Sequence, residues 1–143
     1  MSRASVKQAA GVSRTLFIAC AGVAAVVGVT SSVLAQQPGF TRTPLLDQPL
    51  KIAGYHGVAL KVEIEPGAES GRHTHPGDEF EYVMAGEVRL EIDGQPAKTF
   101  KAGEVFFVPA GAVHNGHNAG SAKAMLIGTL VAENGKPLTT AVK

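Results

Sequence analysis

Along residues 58–64 apolar and polar side chains alternate: Val58, Leu60, Val62 and Ile64 share one parity, while Ala59, Lys61, Glu63 and Glu65 share the other. A period of two sends successive side chains to opposite faces of an extended chain, so this stretch predicts a half-buried strand, ended by Pro66-Gly67. The alternation returns at Val88, Leu90 and Ile92 against Glu87, Arg89, Glu91 and Asp93, and closes on the hairpin signal Asp93-Gly94. Further strands are expected at 79–84, at 98–101, at 112–118 and at 123–131, each bounded by turn residues. Val105-Phe106-Phe107-Val108 is apolar at every position, which predicts a strand covered on both faces. Residues 36–50 contain Pro38, Pro44 and Pro49 with no periodicity and read as an extended arm. Short strands, turn residues at roughly 8- to 12-residue intervals and no helical periodicity argue for an all-β, small antiparallel sandwich or barrel. Seventeen glycines and eight prolines fit that class.

The amino terminus does not belong to this pattern. Arg3, Lys7 and Arg14 precede an uncharged run from Thr15, apolar from Leu16 to Val29, and the run ends in Val33-Leu34-Ala35. A basic region, a short apolar region and small residues before a cut describe a secretory signal peptide, with cleavage expected after Ala35. An uncleaved membrane anchor is the alternative, but it needs about 20 strongly apolar residues and this run is rich in Gly, Ala, Thr and Ser. The expected organisation is a signal peptide over 1–35, an extended arm over 36–54 and one β-domain over 55–143, in a periplasmic or secreted protein without stable membrane insertion after cleavage.

The mature chain would keep all twelve acidic residues and ten of the thirteen Lys and Arg, so its charge turns weakly negative. No basic field recommends nucleic acid or an anionic membrane as partner. Its lack of cysteine excludes a disulfide framework and thiol chemistry.

The chemistry concentrates in two places. His73-Thr74-His75 sets two imidazoles at i and i+2, on one face of an extended segment. Glu79 follows after Pro76-Gly77-Asp78, a spacer able to swing the chain back, and His114 stands behind its own turn, Pro109-Ala110-Gly111. Two histidines at this spacing are more often surface or core residues than ligands. The addition of Glu79 and His114 makes a metal-ligand set. Three imidazoles and one carboxylate suit Fe, Mn, Ni, Co, Cu or Zn rather than Mg or Ca, which prefer oxygen shells. Glu81 shares the parity of Glu79 and has three readings: an acid/base group beside the metal, an alternative ligand to Glu79, or a side chain turned outward by strand twist. His56 reads as a strand-end histidine. His117, of opposite parity to His114, is expected outside the site.

Gly67-x5-His73-x-His75-x3-Glu79-x6-Gly86 and Gly103-x5-Pro109-x-Gly111-x2-His114-x3-Asn118, separated by 16 residues, resemble the two motifs of the cupin superfamily. The resemblance implies a jelly-roll (double-stranded β-helix) barrel in which His73, His75, Glu79 and His114 bind one divalent transition metal. It also implies pairing as a homodimer. The fold does not fix the reaction. The first expectation is a metalloenzyme, dioxygenase- or isomerase-like, acting on a small oxygen-bearing organic molecule with Glu81 handling protons. The alternatives are a non-catalytic protein that binds or senses a small molecule or metal, and a domain whose metal only pins the barrel. Asn118 is expected to bond backbone or to hold a ligand in place. Phe80, Tyr82, Phe106 and Phe107, the aromatic residues near the motifs, are expected to pack in the core, the alternative being that they line a pocket for an aromatic substrate.

Overall fold

A computed structural model describes residues 37–143, so the expected signal peptide and its cleavage point lie outside the described residues. Ten strands follow in chain order: β1 Phe40–Pro49, β2 Tyr55–Ile64, β3 His73–Thr74, β4 Gly77–Ala85, β5 Glu87–Ile92, β6 Lys98–Lys101, β7 Val105–Val108, β8 His114–His117, β9 Ala124–Glu133 and β10 Thr140–Ala141. Every pairing is antiparallel. They form two five-stranded sheets, ordered β1-β2-β9-β4-β7 and β10-β3-β8-β5-β6. From β2 onward the chain passes repeatedly from one sheet to the other, which is the jelly-roll winding expected. Among the described residues no helix is long and apolar enough to cross a membrane.

The alternation read in the sequence becomes the core. Val58, Leu60, Val62 and Ile64 of β2 are buried with Leu126 and Leu130 of β9, and across the interior they meet Val88, Leu90 and Phe100 of the second sheet. Burial of that apolar surface is the main force holding the sheets face to face.

Three expectations change. The arm at 36–50 is extended, but 40–49 is a regular strand paired with β2 along its length. It tolerates Pro44 and Pro49 because β1 is an edge strand, where a missing N–H breaks no inner ladder, and a bulge falls between Pro44 and Leu46. β7 is also an edge strand and is not covered on both faces: Phe106 and Val108 are buried, while Val105 and Phe107 are exposed. Phe80 and Tyr82 join them on the outer face of β4, with Phe80 and Phe107 in ring contact at 5.0 Å. Of the four aromatics expected in the core only Phe106 is there. The polar tail after β9 returns to the second sheet, where β10 pairs with β3.

Candidate metal centre

Two turns bring the distant donors together. The Gly111 N–H donates to the His75 carbonyl (2.9 Å), and the Ala110 N–H donates to Asp78 Oδ1 (2.9 Å), so the turn before His114 is fastened to the turn before Glu79. In the second sheet His73 of β3 pairs directly with His114 of β8. In the first, Glu79 of β4 lies between Leu130 of β9 and Val108 of β7, and its side chain points inward. All four side chains are about 4% exposed.

The geometry fixes the proton positions. His73 Nδ1 donates to the Gly71 carbonyl (2.7 Å), His75 Nδ1 to the Leu138 carbonyl (2.6 Å) and His114 Nδ1 to the Ala112 carbonyl (3.0 Å). A carbonyl only accepts, so each Nδ1 carries a hydrogen and each ring turns its Nε2 inward, that of His73 also toward an N–H of Arg42. These three nitrogens fall within 4.8 Å of one another, with His73 Nε2 and His75 Nε2 only 3.1 Å apart. Glu79 adds Oε1 at 3.4 Å from His75 Nε2 and Oε2 at 3.4 Å from His114 Nε2. Between two neutral rings, or a neutral ring and the carboxylate, such a contact sets lone pair against lone pair. A proton on His73 or His75 is a poor remedy, because burial together with the neighbouring imidazoles and Arg42 lowers the His73 pKa to about 3, and burial lowers that of His75 as well. A cation at the shared centre relieves all of them, so the residues fit a divalent transition ion.

Glu81 points inward, which removes the outward reading. Its register partner on β9 is Gly128, and a Cβ at that glycine would stand 3.1 Å from Glu81 Oε1; the absent side chain is the slot that holds the carboxyl group. Burial pushes Glu81 well above the ordinary carboxylate range, the charge of Glu79 adds to this, and Arg42 opposes it. Of the two carboxyl groups Glu81 is therefore the one that favours the proton.

Sequence reading missed Arg42. It reaches in from β1, donates from one terminal nitrogen to His73 Nε2 (2.8 Å) and from the other to Thr139 Oγ1 (3.2 Å), and lies 4.9 Å from the Phe40 ring centre. The alternation Phe40-Thr41-Arg42-Thr43 was a signal for it, masked by the flanking prolines. Leu138 and Thr139, which hold His75 and Arg42, were missed too. The inner cavity beside Glu79, Glu81, Phe106 and His114 measures only about 20 Å³, room for about one water. Arg42 and His73 also border an outer vestibule of about 330 Å³, walled by Phe40, Ala141 and Val142 among others.

The remaining histidines stand apart. His56 Nδ1 donates to Asp47 Oδ1 (2.7 Å) at the end of β2, and His117 lies at the end of β8, bridged to Glu69. Asn118 is fully buried and bonds backbone only, with Nδ2 donating to the Ile64 and Ala122 carbonyls and Oδ1 accepting from Gly120 N–H.

Residues 60–131 match the family model described as the cupin domain. The chain belongs to the cupin family. This cupin is 32% identical over 125 residues to germin-like protein 5-1 of Oryza sativa subsp. japonica, a match covering 82% of the chain and 54% of that relative. It is 30% identical over 87 residues to oxalate oxidase 2 of Hordeum vulgare, covering 54% of the chain and 39% of the relative. The chain thus spans about half the length of these curated relatives, or less. Among solved structures, an oxalate oxidase in complex with the substrate analogue glycolate superposes with a TM-score of 0.60 at 27% identity, over 73% of this cupin and 55% of that chain. A double-stranded β-helix protein from Klebsiella pneumoniae subsp. pneumoniae superposes with a TM-score of 0.60 at 21% identity, over 77% and 88% of the two chains, a likeness of fold alone.

Proposed function

We propose that this cupin is an exported metalloenzyme that holds one divalent transition metal through His73, His75, Glu79 and His114 and acts on a small oxygen-bearing organic molecule. The observation that carries the reading is the convergence of three imidazoles, each ring locked by a carbonyl behind it, with the Glu79 carboxylate 3.4 Å from two of them. Such backing fixes the orientation and basicity of a ligand imidazole. A bound ion supplies Lewis-acid polarisation or a redox centre. The residues of the chain do the rest: the apolar wall excludes bulk water, and Glu81 gives or takes a proton beside the reacting oxygen. The likeness to an oxalate oxidase supports a small oxygen-rich substrate.

Metal analysis of protein isolated from its native compartment, with oxygen uptake and product formation followed across phenolics, flavonols, 1,3-diketones and organic acids, tests the reading. One equivalent of metal with turnover of any of these supports it; full metal occupancy with no turnover moves the assignment to a binding or sensing protein. The small inner cavity is the observation that favours that second reading. Glu81→Gln is expected to lower turnover by about a hundredfold at unchanged metal content, the usual scale of a lost acid/base group. Equal rates in the two proteins would remove Glu81 from the chemistry.

A homodimer is part of the proposal. Phe80, Tyr82, Met84, Val105 and Phe107 form an exposed apolar face on β4 and β7, beside the open edge of β7, and a second copy covering it would remove apolar surface and a free strand edge from water together. Phe107→Glu should convert the dimer to monomer in analytical ultracentrifugation while leaving metal content intact. A monomeric wild-type chain at micromolar concentration, or a variant that still dimerises, defeats this assignment.

A further inference from the structure

Arg42 stands at the threshold between the inner cavity and the vestibule and borders both. Its surroundings are unusual for a cation. One terminal nitrogen spends its hydrogen bond on His73 Nε2, and the other rests on the hydroxyl of Thr139. No carboxylate among the described residues makes a hydrogen bond to the guanidinium, although Glu79 and Glu81 are near enough to act on it by charge. Arg72, the other arginine at the vestibule, is already committed to Asp93 through two hydrogen bonds of 2.9 and 2.6 Å. Arg42 is therefore the uncommitted cation of the entrance.

His73 Nε2 cannot serve Arg42 and a metal at once. When His73 gives its lone pair to an ion, Arg42 loses its acceptor and lies beside a second positive centre. Counting Arg42, Glu79, Glu81 and a divalent ion, a net positive charge remains in the site whichever proton state Glu81 takes. An uncompensated charge in a partly buried site is costly, and an anion from outside offsets it. A carboxylate matches the planar fork of an arginine.

We propose that Arg42 is the specificity residue of this site, and that the ligand is a small organic carboxylate bearing an oxygen on the adjacent carbon: its carboxylate meets Arg42, its other oxygen faces the three-histidine centre, and any tail lies in the vestibule. The proposal rests on the metal reading above and names the class of molecule that site takes. The inner cavity has room for the oxygen-bearing head alone. The vestibule, a few hundred cubic ångströms against Phe40, Ala141 and Val142, falls in the range that holds organic side groups. Two-carbon acids and longer 2-oxygenated acids thus both fit, and the longer ones gain apolar contact.

The test uses the full mature chain loaded with Co²⁺, with glycolate as the probe and glycolamide as its neutral counterpart. Cobalt stoichiometry and the change in the cobalt visible spectrum on adding each probe are read in wild type, Arg42→Gln and Arg42→Lys. Wild type should bind glycolate at least tenfold more tightly than glycolamide. Arg42→Gln should keep its cobalt and lose about ten- to a hundredfold in glycolate affinity, the scale of a charge-assisted hydrogen bond, with glycolamide binding unmoved; Arg42→Lys should recover part of the loss. Equal glycolate affinity in wild type and Arg42→Gln at equal cobalt content overturns the proposal and leaves the metal reading standing. Wild type that takes up no cobalt overturns both.

Discussion

Replacing His75 with alanine is expected to weaken transition-metal binding by more than about a hundredfold and to remove most of the stabilisation that metal gives. One donor of the proposed four is lost, and the scale is set by neighbours of ligands, whose removal alone costs 10- to 100-fold in affinity; loss of the ligand itself should exceed about a hundredfold. Binding to the folded state alone stabilises it by about 4 kcal/mol at a thousandfold excess over the dissociation constant. Thermal unfolding with and without excess Zn²⁺ should then separate widely for wild type and far less for His75→Ala. The acid side of the same experiment follows from the burial of the imidazoles. His73 in the folded chain has a pKa of about 3 against 6.5 for the free side chain, and His75 is shifted the same way. The unfolded chain therefore binds more protons below pH 6.5, and their contribution to metal-free stability, complete above that pH, falls as pH drops toward the folded value, by up to about 1.4 kcal/mol per unit for each histidine. Metal-free wild type should unfold progressively below pH 6, and His73→Ala less steeply. Unfolding curves insensitive to metal in the wild type, or identical acid profiles in the two proteins, would falsify the shared-centre assignment.

The parts of the site that were legible in the sequence are those that local chemistry announces. His73 and His75 share a face by strand parity, and the glycine- and proline-bearing turns before Glu79 and His114 mark where the chain comes back. The fold class was readable because β2, β5 and β9 carry their burial in period two. What could not be read depends on pairing between distant segments. Glu81 points inward because Gly128 lies opposite it on β9, a fact of register rather than of local sequence. Arg42 reaches His73 only because β1 adds to β2 at the edge, and its prolines, which argue against an inner strand, are compatible with an edge. His75 is oriented by the carbonyl of Leu138, and a backbone group leaves no mark in the side-chain pattern. The β7 error has the same origin: Val105 and Phe107 look like core residues by hydrophobicity, and only the sheet order places their face on the outside.

Gly77→Ala should damage the protein more than any other single methyl added near the site. Gly77 has no positive φ, so the backbone there is one that alanine adopts freely; the obstacle is space. A Cβ at Gly77 would lie 2.6 Å from Ala132 Cα and closer still to the Val131 carbonyl oxygen, both backbone atoms of β9 that no rotamer change can clear. The two strands would have to part where their pairing begins, at Gly77 opposite Ala132. Overpacking of this kind costs about 3 kcal/mol when backbone must yield. The damage also reaches the candidate metal centre, because Glu79 stands two residues further along β4 and Pro76 accepts the hydrogen bond from Glu133 that pins the turn. Gly94→Ala is the matched control. Gly94 has φ +78 and open space around it, so the methyl meets nothing and the cost is the backbone strain alone, about 1 kcal/mol. Urea unfolding of the two variants should therefore differ by about 2 kcal/mol, with zinc affinity lost in Gly77→Ala and retained in Gly94→Ala. A Gly77→Ala protein as stable as Gly94→Ala would mean that β4 and β9 do not approach as closely as described, and that the position of Glu79 is set by something other than this contact.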